Sequence, residues 1–561
     1  MNETQHSSAN QSGAGWGAVG RRIGQWLLAL MLLPISLLGA SAPADEEALK
    51  KLLELPQLQF TVGFNIHSRK GIQLLQSPPD LAVEIAAVTA RLKDDSKDAL
   101  LQERLGNLYD ELEDGLRSSN ATVCAVALWR ERLEKQPENP EVLWHLGECL
   151  SRVGQDTEAE VRLRQAVRAG PKDWQAWSAF ARFLSERAMS TLIKHLPKGL
   201  AFERALYQLP SFKPTADQIE QTQSLLKESE AGLGKTVALA PAEPQAYLSR
   251  TKGRGLNDMT RVVLRVANGE KFDPMMWSSA LVSEGNLEDL RRAAELSPSD
   301  PKIIITTAMA ACFQASLRRG TNSMQETFQR GLVLATLPEG EQSALRADLC
   351  RLEQLSQNPN PTNAAQAEEA LGTIQMAFFK EGGTTVEGHL RRAISLTPQR
   401  DGAWDPLMAF LAERERYADL VAAAEARVKV AATVRNYVAL AKSLRALGRN
   451  DRALNAFQMA RKLDPKSRMA CHGEAVIRIL LSNNREDLVQ AMEPFRILSD
   501  MMNDQVPPSE RMAIAINYSI YQALMGETEE ALKRLRDIRK AAPDNETALA
   551  AEKMIKQMQT N

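Results

Sequence analysis

The run Gly232-Leu233-Gly234-Lys235-Thr236 comes nearest to a catalytic or ligand-binding signature. A phosphate-binding loop needs Gly, four residues and then Gly-Lys-Ser/Thr after a strand, so that backbone N–H groups cradle the phosphates. Here Ser229 stands at the first glycine position, and Gln223 to Glu230 reads as helix. Lys235 is therefore expected on a helix, facing water. The six histidines (His6, His67, His145, His195, His389 and His472) show no i, i+4 pairing and no His-Glu-x-x-His, the spacing a zinc enzyme uses. His472 adjoins Cys471, but no second pair of ligands lies nearby. The five cysteines form no Cys-x-x-Cys. Cys124 and Cys149 fall on neighbouring helical stretches, which leaves both one disulfide and two independent thiols open. Gly-x-Ser-x-Gly does not occur. The basic run Lys533, Arg534, Arg536, Arg539, Lys540 is matched by Glu529 and Glu530 at i, i+4, as on a solvated helix. No set of nucleophile, base or metal ligands emerges, so no enzyme activity and no cofactor is expected.

The elements that would position any site must be many. A chain of 561 residues exceeds a single compact core and calls for several domains or a repeat array. A net charge of −1 argues against a dedicated nucleic-acid binder. An apolar content of 44% excludes a wholly disordered chain. Sparse aromatic and β-branched residues, with frequent Ala, Leu, Glu, Arg and Gln, lean towards helix.

Residues 1–44 read as a leader followed by a signal peptide or membrane anchor. Arg21 and Arg22 precede an uncharged stretch from Trp26 to Ala42, and Asp45, Glu46 and Glu47 follow it. That asymmetry keeps the N-terminus cytoplasmic and sends the rest across the membrane. Ala42 and Ala44 fit a signal-peptidase site, and Ser41 stands where a lipoprotein would need Cys. The expected location is therefore extracytoplasmic, in the periplasm or cell envelope, by export or by an anchor at 26–42. Residues 45–79 read as an arm: a short helix, Pro56, then Phe60, Val62, Phe64 and Ile66 alternating as in one strand.

From Asp80 onward, helix and short turn alternate with a period near 34. Pro137 and Pro171, Ala125 and Ala159, and Ala441 and Ala475 each stand one such period apart. One copy reads Tyr437, Leu440, Ala441, Leu444, Gly448, Ala453, Phe457, Ala460, Pro465. A second reads Leu143, Leu146, Gly147, Leu150, Gly154, Ala159, Leu163, Ala166, Pro171, and a third Ala515, Tyr518, Ser519, Gln522, Gly526, Ala531, Leu535, Ile538, Pro543. Large residues at i, i+3 and i+7 mark one face of a first helix. Glycine after it supplies positive φ, small-large-small residues on a second helix accept the next pair, and proline stops that helix. This order resembles the tetratricopeptide repeat. The resemblance implies an all-α superhelical solenoid of antiparallel helix pairs, each needing a neighbour on both sides. Good copies span 140–173, 434–467 and 512–545. The expected organisation is a solenoid at 80–353 with an insertion at 185–235, a linker at 354–366 rich in Asn, Pro and Gln, and a second solenoid at 367–561.

In the resembled family the first helix of each pair lines the concave side and binds peptides or helices of other proteins. Counting from the repeat starts, the inner-facing candidates are Trp144, His145, Glu148, Arg182, Arg435, Lys442 and Arg445. Trp177 and Trp404 occupy the contact position within a pair; Trp144, one residue past it, is open to either the core or the groove. The family's grip on a C-terminal carboxylate uses Lys and Asn, but His145, Ala439 and Lys442 stand at the usual Asn positions. The expected function is a non-catalytic scaffold for other proteins, touching the membrane only through an uncleaved N-terminal segment. The alternatives are an enzyme with a site in the non-repeat stretches (185–235 or 355–390) and a regulatory subunit presenting substrates to a separate enzyme.

Overall fold

Asparagine or aspartate before proline recurs at the start of the first helices, and each such dipeptide does the same work. Asn139, Asp300 and Asn360 accept hydrogen bonds from the two N–H groups beyond Pro140, Pro301 and Pro361. The proline supplies a helical φ where its missing N–H costs nothing. The turn between pairs is also anchored. Trp177 Nε1 and Trp404 Nε1 donate to the carbonyls of Pro171 and Pro398, both at 3.0 Å, and Tyr247 Oη donates to that of Pro241 at 3.1 Å. Between the two helices of a pair, Gly154, Gly448 and Gly526 take φ of 77°, 76° and 90°. Glu415, one repeat before Gly448, fills the same place at φ 55°, where a side chain is strained.

In the computed structural model the described residues are 81–111, 115–193, 213–271, 276, 279–280, 282–318, 331–379, 383–502, 506, 508–542 and 545–560. Among them the regular elements are helical and no strand occurs. Two compact units divide after Leu407. The first holds α1 (Leu81–Asp94), α2 (Ala99–Glu111), α3 (Gly115–Lys135), α4 (Pro140–Arg152), α5 (Asp156–Ala169), α6 (Trp174–Ile193), α7 (Ala216–Leu239), α8 (Pro244–Ala267), α9 (Glu284–Leu296), α10 (Pro301–Leu317), α11 (Glu339–Leu355), α12 (Pro361–Phe378) and α13 (Gly383–Leu396). The second begins within α14 (Trp404–Glu413) and continues with α15 (Tyr417–Val430), α16 (Val434–Ala446), α17 (Asn450–Leu463), α18 (Arg468–Leu481), α19 (Arg485–Val489), α20 (Met492–Met501), α21 (Pro508–Leu524), α22 (Thr528–Ala541) and α23 (Glu546–Thr560).

The repeat residues are the core. Ala159, Leu163 and Ala166 on α5, and Ala453, Phe457 and Ala460 on α17, are buried against their own pair and the next. Gly147 lies against Leu163 so closely that an added Cβ would overlap its side chain. These helices carry apolar stripes on two sides, so each pair gains most of its burial from its neighbours.

Two expected boundaries are corrected. Both described ends of the stretch 185–235 belong to a helix pair: residues 185–193 complete α6, and residues 216–235 lie in α7, which packs against it, while 194–212 lie outside the described residues. Ser185 and Ser229 join the two helices through their hydroxyls at 2.7 Å, and Gly232 sits on Ala181. With 20 and 24 residues, where α4 and α5 have 13 and 14, this pair outruns the period and so escaped it. Nor is 354–366 a linker. α11 ends at Leu355, Asn360 caps α12, and Leu352, Leu355 and Leu371 share one core. The nucleotide-like run falls inside α7: Thr236 donates to the Gly232 carbonyl at 3.0 Å, and exposed Lys235 lies 3.8 Å over the Trp177 ring. The expected leader, signal or anchor and the 45–79 arm lie outside the described residues. Among the described residues no helix is long and apolar enough to cross a membrane.

Candidate functional site

The first helices carry the candidate residues, and the two units treat them differently. In the N-terminal unit α4 and α6 are first helices of successive pairs. Glu148 and Arg182, at the same position of successive repeats, form an ion pair between them. The charges expected to greet a partner here neutralise each other.

His145 does not line an open groove. It is buried, and its Nδ1 donates to Glu103 Oε2 at 2.8 Å. Its ring is held between Trp129, 4.5 Å away and nearly parallel, and Trp144 at 3.6 Å. Trp144 is half-buried on this stack. Glu103, on α2, also accepts from Trp129 Nε1 at 3.2 Å and from Arg152 at 3.4 Å. Burial alone would raise the Glu103 carboxyl; the His145 hydrogen bond and charge, then Arg152 and Trp129, outweigh it and hold it below the ordinary value. The buried Cys149 thiol beside it is pushed up by burial and by that carboxylate. Cys124 and Cys149 are free, so the disulfide reading falls. The knot joins α2, α3 and α4 and explains why His145 faces inward: a buried carboxylate needs donors. No motif in the sequence ties Glu103 to Trp129 and His145, which lie 26 and 42 residues away from it.

In the C-terminal unit α16, α18 and α21 stand side by side. Arg435 is exposed at the start of α16, and Lys442 and Arg445 lie half-buried one turn apart farther along. Burial pushes the Lys442 ammonium down and the Arg445 guanidinium to about 10. His472, on α18, feels both charges. Burial first, then Lys442 and Arg445, lower its pKa to about 4. Asn517 Nδ2, on α21, donates to His472 Nε2 at 2.8 Å, which leaves the imidazole neutral with its proton on Nδ1. His472 and Asn517 were not among the expected site residues; His472 stands one repeat after Val438, on the same inner position. Among the described residues no group of three His, Cys, Asp or Glu is arranged to hold a metal ion.

The helix pairs stack in the manner of a tetratricopeptide-repeat-like helical solenoid. A family model described as Tetratricopeptide repeat matches residues 436–467, which are α16, α17 and the turn after them. Residues 436–467 thus form a tetratricopeptide repeat, and the stacked helix pairs make a scaffold fold that supports a role in binding other proteins. It is similar to a putative cellulose synthase operon protein C of Escherichia coli O157:H7, 26% identical over 334 residues, covering 55% of this chain. The match spans about a quarter of that relative's length (27%). Among solved structures, yeast Tom70 aligns with 88% of this chain and 94% of its own at 13% identity and TM-score 0.35. A tetratricopeptide repeat protein from Parabacteroides merdae aligns with 53% of this chain and 98% of its own at 12% identity and TM-score 0.31.

Proposed function

We propose that the chain is a non-catalytic scaffold of the cell envelope, exported or anchored through residues 26–42, that holds peptide or helical segments of other proteins against the first helices of its pairs. The observation that carries this reading is the row α16, α18, α21, whose inner residues include Arg435, Lys442 and Arg445. Trp144, Glu148 and Arg182 form the corresponding surface of the N-terminal unit. A relative named for a cellulose synthase operon supports placing the scaffold beside a machine of the envelope. Affinity capture from envelope fractions tests the binding role. Arg435→Glu combined with Lys442→Glu is expected to release partners that the parent chain retains; retention of the same partners by both counts against the reading, as does catalytic turnover by the purified chain alone. Fractionation with N-terminal sequencing tests the location. A mature start at Asp45, or an intact chain in the membrane, supports it; an intact Met1 in the cytosol refutes it.

A further inference from the structure

On α16, α18 and α21, cations outnumber acids helix by helix or stand alone, except that α21 carries one of each. α16 carries Arg435, Lys442 and Arg445 and no acid; α18 carries Arg468 and Arg478 with one acid, Glu474; α21 carries Arg511 with one acid, Glu510. Both acids are already engaged. Glu474 accepts from Arg461 and Arg478, each at 2.7 Å, and Glu510 accepts from Arg468 at 2.9 Å. Lys442, half-buried, has no hydrogen-bond or ion-pair partner among the described residues. The histidine beside it contributes no charge of either sign at neutral pH. Val438 and Val476, on α16 and α18, are fully packed beneath. A cation held partly out of water without a counter-charge is costly, and a carboxylate brought to it removes that cost.

Resting on the reading of the first helices as a partner surface, we propose that the α16–α18–α21 face receives an acidic segment of a partner protein, a side-chain carboxylate of that segment pairing with Lys442. The sign follows from the helices themselves: the acids they carry are bound to other cations, so the partner must bring the missing carboxylate. Met469, exposed at the start of α18 one repeat after Arg435, adds an apolar contact at the rim of the same face.

Fluorescence anisotropy with the full chain tests this, using a labelled Asp/Glu-rich peptide with an amidated C-terminus and its Asn/Gln counterpart. The acidic peptide is expected to bind at least about tenfold more tightly than the neutral one, and Lys442→Met to lose about tenfold or more of that affinity. Lys442→Arg, which keeps the charge, is expected to retain binding, and Lys533→Met, on a second helix, to leave it unchanged; unaltered circular dichroism of each variant excludes misfolding. Equal binding of the two peptides, or no effect of Lys442→Met, overturns the proposal while leaving the scaffold reading intact. Binding that needs a free terminal carboxylate, or binding of a polyuronate oligosaccharide in place of either peptide, overturns it too. If neither peptide binds and envelope capture yields no partner sensitive to the Arg435→Glu, Lys442→Glu pair, the scaffold reading itself falls.

Discussion

Replacing Glu103 by alanine removes the acceptor that His145, Trp129 and Arg152 share. The cost can be bounded from the structure. Breaking a buried charge pair by deleting one partner costs about 3–5 kcal/mol, because the remaining charge stays desolvated. Arg152 keeps some contact with water, which points to the lower end; the buried His145 and Trp129 donors left without an acceptor push the other way, at about 1–3 kcal/mol each and not additively. A loss of about 3–4 kcal/mol in the opening free energy of α4 is expected. A repeat array opens locally rather than all at once, so amide hydrogen exchange over Leu143–Leu150 is the assay, with α18 amides as internal reference. The loss corresponds to exchange faster by about two to three orders of magnitude in α4 and unchanged in α18. Glu103→Gln keeps an oxygen acceptor and is expected to fall between. Because the folded carboxyl titrates below its ordinary 4.5, its contribution is complete above that pH and disappears as the pH falls through the lower folded value. Glu103→Gln should lack this acid-dependent loss. Acceleration of less than about fivefold in Glu103→Ala would refute the view of Glu103 as the centre of the knot.

Three further outcomes follow from the geometry. Glu415→Gly, at the one described non-glycine residue with positive φ, should raise stability by about 1 kcal/mol in chemical denaturation, whereas Gly448→Ala at the equivalent turn should lower it by a similar amount. Gly473→Ala drives a methyl group into the Phe457 ring and should destabilise by about 1–3 kcal/mol, while Gly388→Ala, exposed on α13 with open space around it, should stabilise by about 1 kcal/mol; the same sign for both would refute the packing argument. His472 binds its proton less readily folded, with a pKa of about 4, than at its ordinary 6.5. Stability of α18 should therefore be complete above pH 6.5 and fall as the pH drops from 6.5 towards 4, by about 3 kcal/mol at most. His472→Gln should flatten that limb, as read by exchange rates of α18 amides.

What the sequence determined alone was whatever depends on chemistry within a few residues of the chain. Glycine at the end of a first helix needs only its missing Cβ, and Gly154, Gly448 and Gly526 do take positive φ. Proline after a second helix needs only its missing N–H, and the small-large-small set on the second helix needs only the spacing of one face. These local rules, recurring once per period, specify helix pairs and their stacking. The tertiary structure decided everything that couples distant positions. Trp144 and His145 carry a groove-like spacing, but a carboxylate 42 residues away on α2 draws the histidine inward. α6 and α7 are too long for the period, and their pairing appears only when Ser185 meets Ser229. Lys442 and Arg445 come from one repeat and His472 from the next, and whether each charge is paired, shielded or exposed depends on which neighbours the stacking brings beside it. Electrostatic state follows from distance and solvent exclusion in three dimensions, and neither is written in the spacing of residues along the chain.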